Sequence, residues 1–377
     1  MGGLSLSNIF RLGLKELRSL AADKVLLGLI VWAFSGAIYE AATGVSQQLN
    51  NAPVAIVDED NSPLSARLAD ALYPPYFRRP ELIDLKQVDD AMNRNLYSFV
   101  LVIPSHFQRD MRAGRHPEIQ LNIDATVISQ AFIGAGYINN IASGEVGEFL
   151  TGRRADEDTP IRLTPRARFN PNLTGLWFGG VMEAINNVTM LTIILVGAAF
   201  IREREHGTIE HLLVMPLRPF DIMMAKIWAN GLAVLLGVAF ALWVMVRQVL
   251  QVPIMGSVVL FLGATVFYLF SAASIGIFLG TLARSMPQFG LLTIITIVPL
   301  QLLSGGVTPQ ESMPAAIQTI MAATPTTYFV RLAQGILYRG AGLDVIWRDL
   351  LGMTVVGTCF FTIALLRFRK AVAQTQA

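Results

Sequence analysis

Three polar residues interrupt a long apolar stretch in the middle of the sequence. Glu183, Asn186 and Asn187 are three and four residues apart, so on a helix they share one face. A carboxylate in such surroundings is costly unless it faces protein or water, and here it could hold a polar or cationic group of a transported molecule. The alternative is structural: Glu183 would pair with Arg247, with Arg331 or with hydroxyl groups of a neighbouring helix.

A later apolar stretch also carries polar side chains. Thr293, Thr296 and Gln301 lie in it, and Pro299 between them can kink a helix. We predict that these three polar residues line a translocation pathway together with the Glu183 face.

The residues from Ile201 to Ile227, called here the charged segment, connect two apolar runs. Its first turn alternates in sign through Arg202, Glu203, Arg204 and Glu205, which predicts a solvated turn. A chain that crosses a membrane, exposes such a segment and crosses back presents it to a partner in water.

The middle of the charged segment has the signals of a short rigid helix. Thr208 follows Gly207 and suits an N-cap, and Glu210 lies where a carboxylate favours the positive end of the helix dipole. Leu212 and Leu213 give the helix an apolar surface, and Pro216 ends it. Such a helix can fit a groove of a partner and move as a lever. The alternative is an ordinary solvated loop.

Sequence motifs for catalysis and for metal or nucleotide binding are missing. The chain has no phosphate-binding G-x-x-x-x-G-K-[ST] loop, no H-E-x-x-H, no G-x-S-x-G and no paired cysteines, since Cys359 is its single cysteine. Asp58, Glu59 and Asp60 could suggest a metal site, but a turn with solvated carboxylates is favoured because no His or Cys accompanies them. We predict a chain that is not an enzyme and binds no cofactor or metal itself.

Composition indicates a lipid environment. Hydrophobic residues make up 53% and charged residues 15%, against roughly 25% charged in soluble domains. A net charge of +2 gives no reason to expect nucleic acid as a partner.

Apolar stretches predict six transmembrane helices, each expected to cross a hydrocarbon core of about 30 Å. They are residues 25–44, 176–200, 221–246, 257–283, 289–303 and 346–366. Prolines break residues 308–340 into two short helices, and backbone that irregular is tolerated at membrane depth only where protein or water covers it.

Basic residues set the orientation. Residues 1–24 alternate an apolar stripe with Arg11, Lys15 and Arg18, which predicts an amphipathic helix on the membrane surface. Basic residues before the first span and after the last place both termini in the cytoplasm. Residues 45–172 are polar, alternate strand and helix patterns, and are then expected outside the membrane as an α/β (α+β) domain.

The charged segment resembles that of the ABC type-2 transporter permeases. The resemblance is carried by Arg202-Glu203-Arg204-Glu205, Gly207-Thr208, Glu210, Leu212-Leu213 and Pro216, followed by Pro219, Asp221 and Lys226. The family usually has Glu where this chain has Asp221 and Gly where it has Ala225, and both changes keep the local character. The order of domains matches along nearly the whole chain.

The resemblance implies a function and partners. Residues 202–220 would carry a coupling helix that docks on a cytoplasmic ABC ATPase subunit, which would hold ATP and Mg²⁺. Residues 308–340 would form re-entrant outer helices within a membrane region of residues 173–377. A second permease chain is expected, either a copy or a sister chain, and the outer domain could bind a periplasmic membrane-fusion adaptor.

The sequence therefore predicts a membrane all-α core of six transmembrane helices with an inserted extracytoplasmic α/β domain. We expect it to be the permease subunit of an ABC exporter in a bacterial inner (plasma) membrane, with residues 45–172 periplasmic. An ATP-independent secondary transporter would call for ion-coupling residues in inverted repeats. A ligand-sensing receptor would need a cytoplasmic output domain, and neither feature is present in the sequence. The cargo stays open.

Overall fold

The chain forms two compact units in a computed structural model that describes residues 6–44, 49, 51–94, 96–124, 128–151, 175–205 and 217–375. The first unit, called here the helical unit, comprises Met1–Gly44 and Leu176–Ala377. The second, called the insert unit, comprises Val45–Gly175.

The helical unit is built from long apolar helices and a few short ones. In chain order its described helices are α1 (Leu6–Ala22), α2 (Lys24–Ala33), α3 (Gly36–Thr43), α8 (Gly175–Glu205), α9 (Pro219–Phe240), α10 (Val258–Leu282), α11 (Met286–Leu302), α12 (Ala315–Ala322), α13 (Pro325–Arg339) and α14 (Leu343–Thr375). A π-helical segment, Ala241–Val249, continues α9, and a 3₁₀ turn, Gln310–Ser312, precedes α12.

Five stretches of described helix are long and apolar enough to cross a membrane. They are Lys24–Thr43, Trp177–Glu205, Pro219–Val249, Val258–Leu282 and Leu343–Lys370. The remaining predicted span corresponds to α11, an apolar helix of 17 residues. At 1.5 Å per residue it is about 25 Å long, shorter than a typical hydrocarbon core. The predicted count of six spans therefore stays a prediction.

Helix breaks follow from local chemistry. The first apolar stretch, predicted as one helix, divides into α2 and α3 at Phe34 and Ser35. Pro325, predicted to divide the segment 308–340, is the first residue of α13, where its missing N–H costs nothing. Gly340, with φ +69°, ends that helix in the left-handed conformation that favours glycine.

The insert unit contains a four-stranded mixed sheet in the order β2-β1-β3-β4. Its strands are β1 (Val54–Asp58), β2 (Glu81–Leu82), β3 (Phe99–Ile103) and β4 (Gln120–Ile123). The two pairs made by β1 are parallel, and β3 pairs with β4 antiparallel. Its helices are α4 (Pro63–Ala71), α5 (Val88–Asn93), α6 (Phe107–Arg112) and α7 (Ile128–Thr151).

The two central strands are buried on both faces. Along β1, Val54 and Ile56 join a cluster that includes Leu64 of α4. Ala55 and Val57 join a second cluster that includes Val88 of α5. Because successive side chains of a strand point to opposite faces, this alternation places a layer of apolar side chains on each side of the sheet. The predicted mixture of strands and helices is thus present in the described residues.

Acidic side chains set two turns of the insert unit. Strand β2 ends at Leu82, because Asp84 starts a 3₁₀ turn. After β1, the Asp58 Oδ1 atom accepts hydrogen bonds from the N–H groups of Asp60 and Asn61, at 3.0 and 2.9 Å. The Asp58 carboxylate therefore shapes the turn, as carboxylates in Asx-turns do.

Candidate functional site

The charged segment starts at the C-terminal end of α8 and finishes in α9, and the structure describes both of its ends. Residues 206–216 between them lie outside the described residues. The predicted helix there stays a prediction, and with it the roles of Gly207, Thr208, Glu210, Leu212, Leu213 and Pro216.

Lys226 lies at the centre of an ionic cluster where the charged segment enters α9. Its side chain is 2% exposed, and its Nζ atom lies 3.0 Å from Glu16 Oε1 and 2.9 Å from Glu203 Oε2. The same ammonium donates a hydrogen bond to the carbonyl oxygen of Ala199 at 3.1 Å. A buried ammonium is costly unless it is paired and hydrogen-bonded, and these contacts meet that requirement from α1 and α8.

Further contacts tie α1 and Asp23, the residue that follows it, to the same place. Lys15 Nζ lies 3.6 Å from Glu203 Oε1, and Arg202 Nη1 lies 3.7 Å from Asp23 Oδ2. These pairs are more exposed than the Lys226 pairs, so water screens them more and each contributes little to stability.

An aromatic contact adds to the ionic ones. The Trp228 indole N–H donates to the carbonyl oxygen of Ile9 at 3.1 Å, and its ring stacks on Phe10 with centroids 5.7 Å apart. A Cβ atom at Gly13 would collide with the Trp228 ring, so a glycine is required for this close approach.

Further hydrogen bonds hold both ends of the charged segment, in α8 and in α9. Arg204 Nη1 donates to the carbonyl oxygen of Ala283 at 2.9 Å, and Glu205 Oε1 accepts from the Met286 N–H at 2.7 Å. Both contacts fasten the end of α8 to the turn between α10 and α11. Asp221 is 2% exposed, and its Oδ2 atom accepts from the Arg218 N–H at the start of α9.

The described residues that the sequence assigned to ATPase coupling thus fall into two groups, exposed and largely buried. Arg204 and Glu205 are exposed, as predicted for a solvated turn. The Glu203 side chain is 14% exposed and turned towards Lys226, so the prediction of a solvated residue is wrong there. Lys226 and Asp221 are buried, so they make contacts within this chain rather than form part of an exposed docking surface.

The second candidate site is the polar face of α8. Asn187 is buried, and its Nδ2 atom donates to the carbonyl oxygen of Ala33 at 2.7 Å, next to the break between α2 and α3. The side-chain amides of Asn186 and Asn187 lie beside the half-buried Glu183. Gln301 of α11 donates through Nε2 to the Asn186 carbonyl oxygen at 3.4 Å. The predicted shared face therefore exists, and the structure brings Gln301 to it.

The two predicted threonines on α11 differ in their hydrogen bonding. Thr296 donates to the Leu292 carbonyl oxygen of its own helix at 2.8 Å. Thr293 is 4% exposed, and its Oγ1 atom has no hydrogen-bond partner among the described residues.

Both arginines that could have paired with Glu183 are engaged elsewhere. Arg331 forms an ion pair with Asp349 at 3.0 Å and donates to Gln310 at 2.8 Å. The Arg247 guanidinium lies over the Trp243 ring, 5.3 Å from its centroid. Among the described residues, the polar side chains next to Glu183 are the amides of α8 itself rather than an arginine.

A buried hydroxyl network was not found from the sequence. Tyr268 of α10 is fully buried, and its hydroxyl lies 2.7 Å from Thr189 Oγ1 of α8 and 3.2 Å from Thr326 Oγ1 of α13. Its ring stacks on Phe329 with centroids 3.8 Å apart. A tyrosine within an apolar run has no pattern that separates it from ordinary core, so only the packing of three helices reveals the network.

Comparisons with known proteins agree on one family. A family model described as ABC-2 family transporter protein matches residues 25–366. The chain is 55% identical to the "Inner membrane transport permease YhhJ" of Escherichia coli (strain K12), over 97% of this chain and 98% of that one. It is 26% identical to the "Probable multidrug ABC transporter permease YbhR" of the same organism, over 95% of this chain and 97% of that one.

Proposed function

Since this chain belongs to the ABC-2 family of membrane transport permeases, we propose that it is the transmembrane subunit of an ATP-driven exporter. It is a multi-pass inner membrane protein. In the proposed cycle, a separate ATPase subunit binds and hydrolyses ATP, and the permease moves its cargo outward by alternating access.

The observation that carries the proposal is the family match across the charged segment. The match runs through residues 202–226, between two helices long enough to span a membrane. Residues 202–220 would dock on the ATPase, and the contacts of Arg204 and Glu205 with the α10–α11 turn would pass the movement on to those helices. This gives a mechanical route from the partner into the helical unit.

The family implies pairing with an ABC ATPase subunit, and we propose the remaining partners from the same premise. ATP and Mg²⁺ would be bound by the ATPase subunit, and this chain would be non-catalytic. A second permease chain, identical or related, would complete the pathway, because each ATPase of a pair needs its own docking site. Residues 45–172 would be periplasmic, where a membrane-fusion adaptor could bind them, and both termini would be cytoplasmic.

For the pathway we propose the polar face of α8 and the facing side chains of α11. The contact between Gln301 and Asn186 and the amide groups around Glu183 support this placement. Thr293 and Thr296 lie on the same helix as Gln301. The name of the YbhR relative includes the word multidrug, so small amphipathic compounds are the first cargo class to test.

The proposal is tested by purifying the chain together with a candidate ABC ATPase subunit of the same organism and reconstituting both into liposomes. We expect a stable complex whose ATP hydrolysis exceeds that of the isolated ATPase subunit. Leu213→Asp should place a charge on the docking surface and weaken binding by about 10-fold or more, since a buried unpaired charge in an interface costs several kcal/mol.

The matched control is Leu85→Asp, the same change on an exposed side chain of the insert unit, which should leave ATPase binding unchanged. If the wild-type chain neither binds the ATPase subunit nor changes its hydrolysis rate, the exporter proposal is wrong. Transport by the chain alone would instead favour a secondary transporter.

A further inference from the structure

The burial of Lys226 changes the role that the sequence suggested for it. With 2% of its side chain exposed, it is enclosed by its own chain, so the ATPase subunit is not what it pairs with. Its two carboxylate partners come from elements far apart in sequence, Glu16 of α1 and Glu203 of α8. Lys226 itself belongs to α9, so a single ammonium joins three helices.

The described ionic contacts around Lys226 are balanced in charge, and most of them join the same helices. Lys15 and Lys226 carry two positive charges, and Glu16 and Glu203 carry two negative charges. Except for the pair between Glu203 and Lys226, each ionic contact joins α1 to α8 or α9. Trp228 of α9 also binds α1, through the carbonyl oxygen of Ile9, so α1 is attached at more than one of its turns. Asp23, the N-cap of α2 directly after α1, pairs with Arg202 of α8.

Folding alone gives a weak reason for this arrangement. Replacing a buried ion triad with apolar side chains of similar volume is often neutral or stabilising, because the desolvation of the charges offsets their attraction. What a buried triad does provide is a fixed geometry, since each charge is satisfied in only one arrangement of the three helices. Here that arrangement lies where the charged segment joins both spans.

We propose that Glu16, Glu203 and Lys226 form a joint, called here the α1 joint, that makes α1 and the two ends of the charged segment move as one body. In this role Lys226 is a positioning residue that transmits movement and does not touch the partner. The inference rests on the proposed function, because the movement transmitted is the one that the ATPase subunit would impose. Through the α1 joint, docking of the ATPase subunit would displace α1, α8 and α9 together.

The test separates folding, binding and coupling in the reconstituted complex with the ATPase subunit. Lys226→Met alone removes the ammonium that pairs with Glu16 and Glu203, two side chains that are only 14% exposed, and is expected to lower the amount of inserted chain. The informative variant is Glu16→Gln/Glu203→Gln/Lys226→Met, in which the whole triad is uncharged. We expect normal insertion and normal ATPase binding, but a loss of about 10-fold in the ATP hydrolysis stimulated by the permease.

Lys15→Met is the matched control, because it removes a lysine with 59% of its side chain exposed at the rim of the same cluster. Its stimulated hydrolysis should stay within about five-fold of wild type, as for an exposed ion pair. The inference is overturned if the triple variant keeps full stimulation of ATP hydrolysis. It is also overturned if the binding of the triple variant to the ATPase subunit falls by the same factor as the stimulated hydrolysis. A triple variant that fails to insert would also overturn it, by assigning the joint to folding. If the wild-type chain does not bind the ATPase subunit, the proposed function itself is wrong.

Discussion

At the scale of single residues, Glu183 shows how a costly side chain is accommodated. A carboxylate within a membrane span is tolerated when it faces protein or water. In α8 it is half-buried beside the polar side-chain amides of Asn186 and Asn187, so its surroundings are not purely apolar. Among the described residues no arginine pairs with it, which is consistent with the proposal that Glu183 holds a cationic or polar group of the cargo.

Changing Glu183→Gln should reduce export by about 10-fold, equivalent to losing about 1.4 kcal/mol of interaction with the cargo. The amide has the same shape and keeps hydrogen bonding, so α8 should fold normally. The measurement is export of a panel of amphipathic compounds by the reconstituted complex, with ATPase binding checked in parallel.

The control for that substitution is Glu40→Gln, which removes an exposed carboxylate from nearby α3. It should leave export unchanged. Unchanged export in Glu183→Gln as well, with normal ATPase binding, would remove Glu183 from the pathway and leave it a structural residue.

Sequence spacing predicted some of these residues and was unable to predict others. Glu183, Asn186 and Asn187 were found because helical spacing is local. The partners of Lys226 were missed, since Glu16 is 210 residues away in the chain and looks like one charge of a surface helix. Pairings of that kind depend on which helices pack together, and a single sequence does not record this.

At the scale of elements, glycines set how closely α8 and α10 approach. A Cβ atom at Gly276 of α10 would lie 2.6 Å from the backbone oxygen of Ile193 in α8. Backbone cannot rotate away as a flexible side chain can, so the two helices would have to separate. Small residues at helix interfaces in membranes permit such close packing.

Gly276→Ala should therefore lower the free energy of unfolding by about 1–3 kcal/mol, the usual cost of overpacking. Thermal unfolding of the detergent-purified chain would measure it. Gly263→Ala, in the same helix but with open space around its Cβ position, should be neutral or stabilising by up to about 1 kcal/mol, because alanine favours helix. Equal stability of the two variants would contradict the close approach of α8 and α10.

The elements themselves were largely readable from periodicity. Apolar runs located the long helices, and the short strands followed from buried β-branched residues such as those of β1 and β3. The break at Ser35 was not predicted, because the residues around it are as apolar as the helices on either side. A Ser-Gly pair, here Ser35-Gly36, is a common place for a helix to bend, and the carbonyl oxygen of Ala33 next to it accepts a hydrogen bond from Asn187.

At the scale of the whole molecule, the chain combines two units that are built differently. The helical unit exposes many large apolar side chains along its long helices, for example Leu236, Ile294 and Val355, as expected of surfaces that face lipid. The insert unit has its own core on both faces of its sheet. The polar composition of residues 45–172 predicted a separate unit. The side of the membrane on which that unit lies is inferred from the distribution of basic residues.

That orientation predicts how two single cysteines will react in a Cys359→Ser background. Lys86→Cys, on an exposed turn of the insert unit, should react with a membrane-impermeant maleimide in intact spheroplasts, because residues 45–172 are proposed to be periplasmic. Arg284→Cys, on the exposed turn between α10 and α11, should react only after the membrane is permeabilised. The reverse pattern would place the charged segment outside the cell, away from any ATPase subunit, and the exporter proposal would then fail together with the joint that depends on it.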